Sequence, residues 1–334
     1  MSRLLPESVS LFERALLALL LVFVASCASK TPWEPGPDPT PEGTGYRTEN
    51  TVLVIIDGLR YSEGLGDPEA LYTPRMHELA HEGAIVEPFL NDGATVTRRG
   101  VPAIWTGSWQ APETFSDPDC GGSENQRATV PTLFEYWRKL LDRPAEDCIY
   151  LTGQVGCPWK ASDDPDYGPD YWPLLDETGS NDRERGARAR FLLEQVQPAL
   201  LLLYLPDVDH GGHSGEWNQY IANIAVADSI VGAIWDFLQT SPHYADHTTL
   251  FVTNDHGRHD NRPTEPHDGF SGHGDGCHGC RTIELLMVGP DTRPGLVSTQ
   301  PRTIPDIVPT IGELLGFPTP EASGEAMAEL LVDR

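Results

Sequence analysis

Four mainly apolar runs along the chain have the composition of strands that are buried on both faces. They are rich in leucine and β-branched residues: Thr51–Ile56, Ala199–Leu205, Thr248–Thr253 and Ile283–Val288. Runs of this length and composition are typical of strands in a parallel sheet that is covered on both sides. Ala84–Leu90 and Cys148–Leu151 are predicted as two further strands.

Segments with helical spacing separate these runs. In the longest, Gln219–Gln239, apolar residues recur at intervals of three and four. Further helices are predicted over Pro74–Gly83, Thr132–Leu141, Asn181–Gln195 and Pro305–Leu315. Asn181 and Glu184 have the spacing of a capping box. Strands that alternate with helices predict an α/β fold with a mostly parallel central sheet and helices on both faces.

The composition is that of a globular protein with long loops. Hydrophobic residues are 39% of the 334 residues, which excludes wholesale disorder and a protein with many membrane spans. The 32 glycines and 30 prolines favour long connections. We expect the loop-like insertions Gly107–Pro131 and Gly156–Gly179 to shape the mouth of a site.

The net charge of −27 limits the partners of the chain. A surface this acidic repels nucleic acid and anionic lipid, so no nucleic-acid binding is expected. An anionic substrate would need positive charge from metal ions or from local Arg and Lys side chains.

The N-terminal segment has the pattern of a secretion signal. Leu16–Val24 is apolar, follows Arg3 and Arg14, and is shorter than the ~20 residues that span a bilayer. It ends in the sequence VASC, which resembles a bacterial lipobox with Cys27 as the lipidated residue. An ordinary signal peptide, or an N-terminal anchor helix with an incidental cysteine, is the alternative.

This pattern divides the chain into three parts. Residues 1–27 are predicted as a lipoprotein signal peptide, residues 28–48 as a Pro/Gly-rich tether, and residues 49–334 as a single domain. Ala28 does not match the aspartate of an inner-membrane retention signal. The resemblance therefore implies an exported bacterial lipoprotein of the outer membrane, facing the periplasm or the cell surface, with membrane contact only through its lipid. The oligomeric state stays unknown.

Five cysteines follow the lipobox: Cys120, Cys148, Cys157, Cys277 and Cys280. An exported compartment permits disulfides. The sequence CHGC at 277–280 is a CxxC motif without a second CxxC. We expect a local structural disulfide there, with a metal site as the alternative.

Acidic residues and histidines follow three of the apolar runs. Asp57 follows the first, the sequence DVDHGGH at 207–213 follows the second, and Asp255 and His256 follow the third. In an open parallel sheet, ligands bind outside the carboxyl ends of the strands. Carboxylates and imidazoles are the ligands of zinc and related metals. The sequence therefore predicts a metal site at this edge of the sheet.

A second metal motif lies on a predicted helix. His77, Glu78 and His81 match H-E-x-x-H, the zinc-protease motif. No third ligand follows at the expected spacing, and the helix is short. We interpret these as histidines on a helix surface.

These segments, in this order, resemble the alkaline phosphatase superfamily, which includes type I phosphodiesterases/nucleotide pyrophosphatases, sulfatases and cofactor-independent phosphoglycerate mutases. The resemblance extends over about Thr51–Leu331. It rests on VLVIIDGLR (52–60), TPRMHELAHEG (73–83), TRRGVPAIWTG (97–107), DHGGHSG (209–215), NDHG (254–257), SGHG (271–274) and DIVPTI (306–311). It implies that residues 49–334 form an alkaline-phosphatase-like catalytic domain.

The resemblance implies two divalent metal ions, zinc or alternatively manganese. One metal would take Asp57, Thr97, Asp255 and His256. The other would take Asp209, His213 and His273. By its spacing from the following Thr-Gly pair, Thr97 is also the implied catalytic nucleophile.

Three positions have competitors. Thr95 is the fallback nucleophile. Asp207 competes with Asp209, and His278 competes with His273. Only Asp209 has a histidine four residues later after a glycine, and His273 lies at the more suitable distance from the following strand.

The residues after Thr97 depart from two family patterns. They lack the proline and arginine of the formylglycine sulfatase motif, and Gly100 stands where phosphodiesterases often have an asparagine that contacts phosphate. Arg98 or Arg99 would then supply the substrate contact. Preference for diesters or monoesters stays open.

We therefore expect a two-metal hydrolase of small phosphate esters, either phosphodiesterase/pyrophosphatase or phosphatase. It would act through a metal-bound Thr97 and a phospho-threonine intermediate. A sulfatase-like or phosphonate hydrolase, or a phosphotransferase acting on a surface glycan, is the alternative among enzymes. A non-catalytic surface binding protein and a zinc protease are the remaining alternatives.

Overall fold

The computed structural model describes residues 44–110, 113–116, 124–153, 161–262 and 268–334, without the side chains of 113–116 and 124–126. All of them lie within one compact unit, Gly43–Arg334. The predicted signal peptide with Cys27, most of the predicted tether, Cys120 and Cys157 lie outside the described residues.

The strands, numbered in chain order, are β1 Asn50–Ile56, β2 Ala84–Val86, β3 Phe89–Leu90, β4 Glu113–Ser116, β5 Glu124–Arg127, β6 Cys148–Leu151, β7 Leu174–Asp176, β8 Leu200–Leu205, β9 Thr248–Thr253, β10 Thr282–Ile283, β11 Leu285–Val288, β12 Leu296–Ser298 and β13 Arg302–Thr303. The α-helices are α1 Pro74–Glu82, α2 Thr97–Thr106, α3 Leu133–Leu140, α4 Asp182–Gln195, α5 Asp207–His213, α6 Trp217–Thr240, α7 His278–Arg281 and α8 Ile307–Leu315.

A central sheet of eight strands has the order β12-β2-β11-β9-β1-β8-β6-β7. β1 pairs in parallel with β8 on one side and with β9 on the other. β6 and β7 continue this direction, and β2 pairs in parallel with β12. β11 runs antiparallel to both of its neighbours. The predicted mostly parallel sheet is confirmed.

Helices cover both faces of the sheet, as predicted. Along β1, Leu53 and Ile55 face a hydrophobic core formed with α2, α3 and α8. Val52, Val54 and Ile56 face a second core formed with α1, α4 and α6. Because successive strand residues point to opposite faces, a strand buried on both sides needs the continuous apolar run that the sequence shows.

Two predicted strands are each divided in the structure. Ala84–Leu90 is interrupted at Glu87-Pro88, so that β2 joins the central sheet and β3 joins a three-stranded sheet with β10 and β13. A proline has no N–H for the strand ladder. Ile283–Val288 is interrupted at Glu284, whose backbone N–H donates to Asn254 Oδ1 at 2.8 Å instead of to a strand.

The two insertions predicted as loops contain strands. β4 and β5 form an antiparallel hairpin within Gly107–Pro131, and β7 lies beside β6 at the edge of the central sheet, within Gly156–Gly179. β12 and β13 were also not predicted. These strands have two to four residues, too few to show a period of two in the sequence.

Only half of the predicted capping box at the start of α4 is formed. Asn181 Oδ1 accepts a hydrogen bond from the Glu184 backbone N–H at 3.0 Å. The Glu184 carboxylate accepts instead from the backbone N–H and hydroxyl of Ser180, both at 2.8 Å.

The expected disulfide within CHGC is absent, because Cys277 and Cys280 are free thiols, as is Cys148. Cys277 is the N-cap of the short helix α7, where its Sγ accepts from the Cys280 backbone N–H at 3.4 Å. The sulfur therefore has an acceptor role in this turn.

The helix α6 is long and apolar enough to cross a membrane by length and composition, with a mean hydropathy of 1.5. Its buried residues, including Ile224, Val231 and Leu238, pack in the core beside the central sheet. Buried core helices of globular proteins are commonly as long and as apolar as this one.

A buried carboxylate on α6 caps the helix α1. Thr73, the N-cap residue of α1, makes no side-chain capping bond. Asp228 Oδ1 accepts from the Met76 backbone N–H at 2.8 Å, and its Oδ2 accepts from the Arg75 N–H at 3.1 Å. Two N–H groups that the helix itself cannot satisfy are thus satisfied by another helix.

We expect Asp228→Ala to lower the free energy of unfolding by about 1–3 kcal/mol, because Asp228 is 3% exposed and its loss leaves buried donors without a partner. Chemical denaturation measures the change. Asp236→Ala is the matched control on the same helix, since the Asp236 side chain is 67% exposed and its loss should change stability by less than about 0.5 kcal/mol. Equal effects of the two substitutions would refute the capping role.

Candidate active site

The predicted acidic residues meet at one edge of the central sheet. Asp57 follows β1, Asp209 lies on α5 directly after β8, and Asp255 follows β9. Because β9, β1 and β8 are parallel neighbours, their carboxyl ends lie side by side. Asp57, Asp209 and Asp255 are 2%, 6% and 0% exposed.

The first predicted ligand set forms one cluster. Thr97 Oγ1 donates to Asp57 Oδ1 at 3.4 Å and lies 3.2 Å from His256 Nε2. His256 Nε2 lies 3.3 Å from Asp57 Oδ1 and 3.5 Å from Asp255 Oδ2. Thr97 is the first residue of α2, whose N-cap is Val96, and its hydroxyl therefore faces the cluster instead of capping the helix.

The second predicted set lies beside the first. His213 Nε2 is 3.2 Å from Asp209 Oδ2, and His273 Nε2 is 3.5 Å from Asp209 Oδ1. The two Nε2 atoms are 2.9 Å apart. The rings of His256 and His273 stack with centroids 4.0 Å apart, which joins the two clusters.

Backbone carbonyls orient two of the imidazoles. His256 Nδ1 lies 2.9 Å from the Gly257 carbonyl oxygen, and His273 Nδ1 lies 3.0 Å from that of Thr95. If each Nδ1 carries the proton, its N–H donates to the carbonyl oxygen. The lone pair of each Nε2 is then directed at the carboxylates. Metal-binding histidines are typically oriented in this way.

Burial and crowding of charge disfavour the ionised forms of Asp57 and Asp255. Burial, and then the Asp255 and Asp209 carboxylates, raise the pKa of Asp57 well above its ordinary value. Burial likewise raises the pKa of Asp255. Burial and then the His256 ring lower the pKa of His273 to about 4, so its imidazole is neutral at neutral pH.

Two residues that the sequence analysis missed contact the carboxylates. The Tyr204 hydroxyl donates to Asp57 Oδ2. Arg258 is fully buried and pairs with Asp209 Oδ1. Burial alone would raise the pKa of Asp209, but the Arg258 guanidinium and the neighbouring imidazoles outweigh it and lower that pKa. Tyr204 is the one polar side chain in the apolar run of β8, which is the signal that could have identified it.

The competing candidates have other partners. The Thr95 hydroxyl accepts from the Gly276 N–H at 3.1 Å, while its carbonyl is next to His273. Asp207 accepts from the Asp182 N–H at 2.8 Å. His278 Nδ1 lies 3.7 Å from Asp260, and its side chain is 54% exposed.

The H-E-x-x-H residues lie on α1, outside the clusters described above. His77 Nδ1 is 2.9 Å from the Thr73 carbonyl oxygen, and the exposed Glu78 pairs with Arg75. The interpretation of surface histidines fits His81, which is exposed, but His77 is half-buried and its Nε2 is buried.

A cavity of about 360 Å³ opens over the centre. Its lining includes Asp57, Thr97, Arg98, His213 and His273. Of the two arginines predicted to bind substrate, Arg98 is exposed on this lining, and Arg99 is half-buried beside it in the chain. Arg98 thus supplies positive charge at the cavity of a chain with a net charge of −27.

Comparisons with known proteins cover most of the chain. Residues 125–270 match the family model of type I phosphodiesterase/nucleotide pyrophosphatase. No curated protein matches the chain. A solved structure of an alkaline phosphatase superfamily protein from Vibrio parahaemolyticus is 16% identical and covers 89% of this chain and 75% of its own, with a TM-score of 0.57. The chain has the alkaline phosphatase superfamily fold. The predicted resemblance is confirmed.

Two further superfamily structures have the same fold. Murine ectonucleotide pyrophosphatase/phosphodiesterase 5, in an inactive form with AMP, is 14% identical, covers 85% of this chain and 100% of its own, and has a TM-score of 0.62. The phosphonate monoester hydrolase of Agrobacterium radiobacter is 14% identical, covers 85% of this chain and 77% of its own, and has a TM-score of 0.57.

The centre of this superfamily fold fits divalent metal ions. Two ligands at 2.0–2.2 Å from a tetrahedral zinc lie about 3.3–3.6 Å apart, and the pairs around His256 Nε2 lie 3.2–3.5 Å apart. Asp255 Oδ2 is buried and accepts no hydrogen bond from any residue that the structure describes. The Asp57, Asp255 and His256 group and the Asp209, His256 and His273 group each place their ligand atoms within 4.8 Å of one another. The identity of the metal is not fixed by this donor set.

We expect Asp57→Asn to stabilise the metal-free protein and to weaken its stabilisation by zinc. Because folding raises the pKa of Asp57, its ionised form disfavours the folded state once the pH rises through the folded-state pKa. A neutral amide removes that cost, but it also removes a charged ligand. Melting temperatures at neutral pH, with and without excess zinc, measure both effects.

Asp207→Asn is the matched control, because Asp207 contacts Asp182 and Arg185 outside both ligand sets. It should keep the full rise in melting temperature on addition of zinc. A zinc-dependent rise in Asp57→Asn equal to that of the wild type would contradict the assignment of Asp57 as a ligand.

Proposed function

We propose that the chain is a metal-dependent hydrolase of phosphate esters that uses Thr97 as its nucleophile. One observation carries the proposal: the Thr97 hydroxyl lies at the first turn of α2, within 3.4 Å of Asp57 and 3.2 Å of His256, and lines the cavity. The N-terminus of a helix favours a bound anion such as a phosphoryl group. The family match and the fold of the phosphonate hydrolase and pyrophosphatase structures support the broader class of phosphate- or sulfate-ester hydrolase.

The residues of the centre have distinct roles in this proposal. Bound divalent metals would supply Lewis acidity, held by Asp57, Asp255 and His256 on one side and by Asp209, His213 and His273 on the other. The Thr97 hydroxyl gives up its proton as Oγ1 attacks phosphorus, and a phosphothreonine forms as the bond from phosphorus to the leaving oxygen breaks. The leaving oxygen takes up a proton and departs as the alcohol. Water then hydrolyses the phosphothreonine, which releases phosphate or a phosphate monoester and restores the hydroxyl.

Surrounding side chains position these groups. Tyr204 fixes the Asp57 carboxylate through Oδ2, so that Oδ1 faces the Thr97 hydroxyl. Arg258 fixes Asp209 through Oδ1 and leaves Oδ2 facing His213. Arg98, at the mouth of the cavity, is suited to bind a non-bridging phosphate oxygen.

The size of the cavity favours a small substrate. A cavity of about 360 Å³ is at the lower end of the range for small-molecule sites. AMP is present in the murine phosphodiesterase structure that shares this fold, and we propose a substrate of similar class, a small phosphate ester.

A sulfate ester is the second candidate substrate. A superfamily structure with 13% identity and a TM-score of 0.61 contains D-glucosamine-2-N,6-O-disulfate. Turnover of nitrophenyl phosphate, bis-nitrophenyl phosphate and nitrophenyl sulfate, each with zinc or manganese, distinguishes monoester, diester and sulfate hydrolysis.

We expect Thr97→Val to lower kcat by several orders of magnitude, as removal of a serine nucleophile does in proteases. The variant should stay folded, because valine keeps the shape of threonine, and Thr97→Ser should retain part of the activity. Mass spectrometry of wild-type enzyme quenched in acid during turnover should find phosphate on Thr97.

Thr95→Val is the matched control for the fallback nucleophile. It removes a hydroxyl two residues away but keeps the carbonyl that lies beside His273. It should retain most of the activity. Near-normal turnover by Thr97→Val, or phosphate found on Thr95, would refute the role of Thr97.

We also propose that the protein is an exported bacterial lipoprotein attached to the outer membrane through Cys27. The VASC sequence after a short apolar run supports the proposal. Mass spectrometry of the full chain from a bacterial membrane fraction should find a lipidated Cys27 at the mature N-terminus, and Cys27→Ala should leave the membrane fraction. An unmodified N-terminus upstream of Cys27 would refute lipidation.

A further inference from the structure

A second group of metal-ligand side chains lies outside both ligand sets of the candidate active site. It consists of His259, Asp275, Cys277 and Cys280, whose ligand atoms all lie within 4.8 Å of one another. Asp57, Thr97 and the other proposed active-site ligands do not belong to it. Two sulfurs, an imidazole and a carboxylate are a donor set that suits zinc.

His259 has an unsatisfied nitrogen directed into this group. Its side chain is 6% exposed, and Nε2 is buried without a hydrogen bond to any residue that the structure describes. Its Nδ1 lies 2.5 Å from Asp268 Oδ1, a contact that fixes the ring and leaves the Nε2 lone pair available. Carboxylate, histidine and zinc commonly form such a chain.

The distances match a tetrahedral zinc. With zinc–nitrogen and zinc–oxygen bonds near 2.1 Å and zinc–sulfur bonds near 2.3 Å, neighbouring N and O ligands lie about 3.4 Å apart, and S and O ligands about 3.6 Å apart. The observed separations are 3.3 Å from His259 Nε2 to Asp275 Oδ1 and 3.7 Å from Cys280 Sγ to Asp275 Oδ1.

The CHGC turn provides two sulfur atoms that are suited to bind a metal ion. Both of its cysteines are free thiols, and the Cys280 N–H donates to Cys277 Sγ at 3.4 Å. This N–H thus points at a sulfur that would bind metal as a thiolate. The turn packs directly on the segment before His259, since a Cβ on Gly257 would lie 2.1 Å from the Gly279 carbonyl oxygen.

We infer that His259, Asp275, Cys277 and Cys280 form a structural zinc site, separate from the catalytic centre, with Asp268 orienting His259. Binding of Zn²⁺ displaces the two thiol protons, and no oxidation or reduction takes place. All four protein ligands close the coordination sphere, as in structural zinc sites, which keep no position for substrate.

This site would connect the two segments that carry His256 and His273, which are proposed metal ligands of the candidate active site. His259 lies three residues after His256, and Asp275 lies two residues after His273. In the structure these segments already share one backbone hydrogen bond, from the His259 N–H to the Gly272 carbonyl at 3.0 Å. A zinc ion across them fixes the distance between His256 and His273, whose rings stack at 4.0 Å.

Cobalt substitution tests the site in the full chain. The proposed active-site ligands supply only oxygen and nitrogen, so sulfur-to-cobalt charge-transfer absorption in the near ultraviolet reports on the cysteine site alone. We expect this absorption in the wild type. We expect it to be lost in Cys277→Ser/Cys280→Ser, which should also contain one equivalent of zinc fewer per chain than the wild type when purified without chelator.

His278→Asn is the matched control, because this side chain lies inside the same CHGC turn but is 54% exposed and outside the group. It should keep both the absorption and the zinc content. Asp57→Asn should also keep the sulfur-to-cobalt absorption, so a failure of the active-site assignment is distinguishable from a failure of this one.

The redox state of the cysteines is measured on the same preparation. Trypsin releases residues 259–281 as one peptide, because Arg262 precedes a proline, and Cys277 and Cys280 are its only cysteines. Alkylation of both cysteines after chelation is expected. A disulfide in this peptide, or two reduced thiols in a cobalt-loaded protein without charge-transfer absorption, would overturn the proposal.

Discussion

Crowding of three buried carboxylates is the constraint on which the rest of the centre depends. Asp57, Asp209 and Asp255 are brought together because β9, β1 and β8 are adjacent and parallel. Burying negative charges at this separation is costly without compensating cations. The structure provides part of this compensation through the Arg258 guanidinium on Asp209 and the hydrogen bond that the Tyr204 hydroxyl donates to Asp57. In our proposal, bound divalent metal ions would supply the remaining positive charge.

Several residues that are not themselves proposed metal ligands hold the ligands of the centre in place. Thr95 is an example, since its backbone carbonyl lies beside His273 Nδ1. Asn91 is another, with its amide donating to the Asp255 carbonyl at 2.6 Å. The His259 group lies in the same loop region and, in our proposal, stabilises it further. The side chains of the centre are therefore held in position by contacts from several loops, in addition to the edge of the sheet.

Much of the fold could be predicted from the sequence, because strands buried on both faces must be apolar at every position. β6 and β9 have the predicted bounds, α1 and α4 differ from prediction by one residue at one end, and α3 differs by one residue at each end. The short strands β7, β12 and β13 could not be predicted, because their pairing depends on neighbours far away in the chain. The CHGC turn was misjudged for a similar reason: two cysteines in a motif indicate proximity but not oxidation state.

The sequence by itself determined the long inner strands of the sheet, the helices on both its faces and the strand-end acidic residues, since local periodicity and composition encode these directly. Spacing in the sequence favoured Asp209 over Asp207 and His273 over His278, but only the tertiary structure gives their contacts: Asp209 lies beside His213 and His273, while His278 lies near Asp260. It also decided the partners of Tyr204 and Arg258. These contacts join residues up to about 150 positions apart in the chain, such as Tyr204 and Asp57, and such pairing is set by strand order and loop path, for which a single sequence has no local signal.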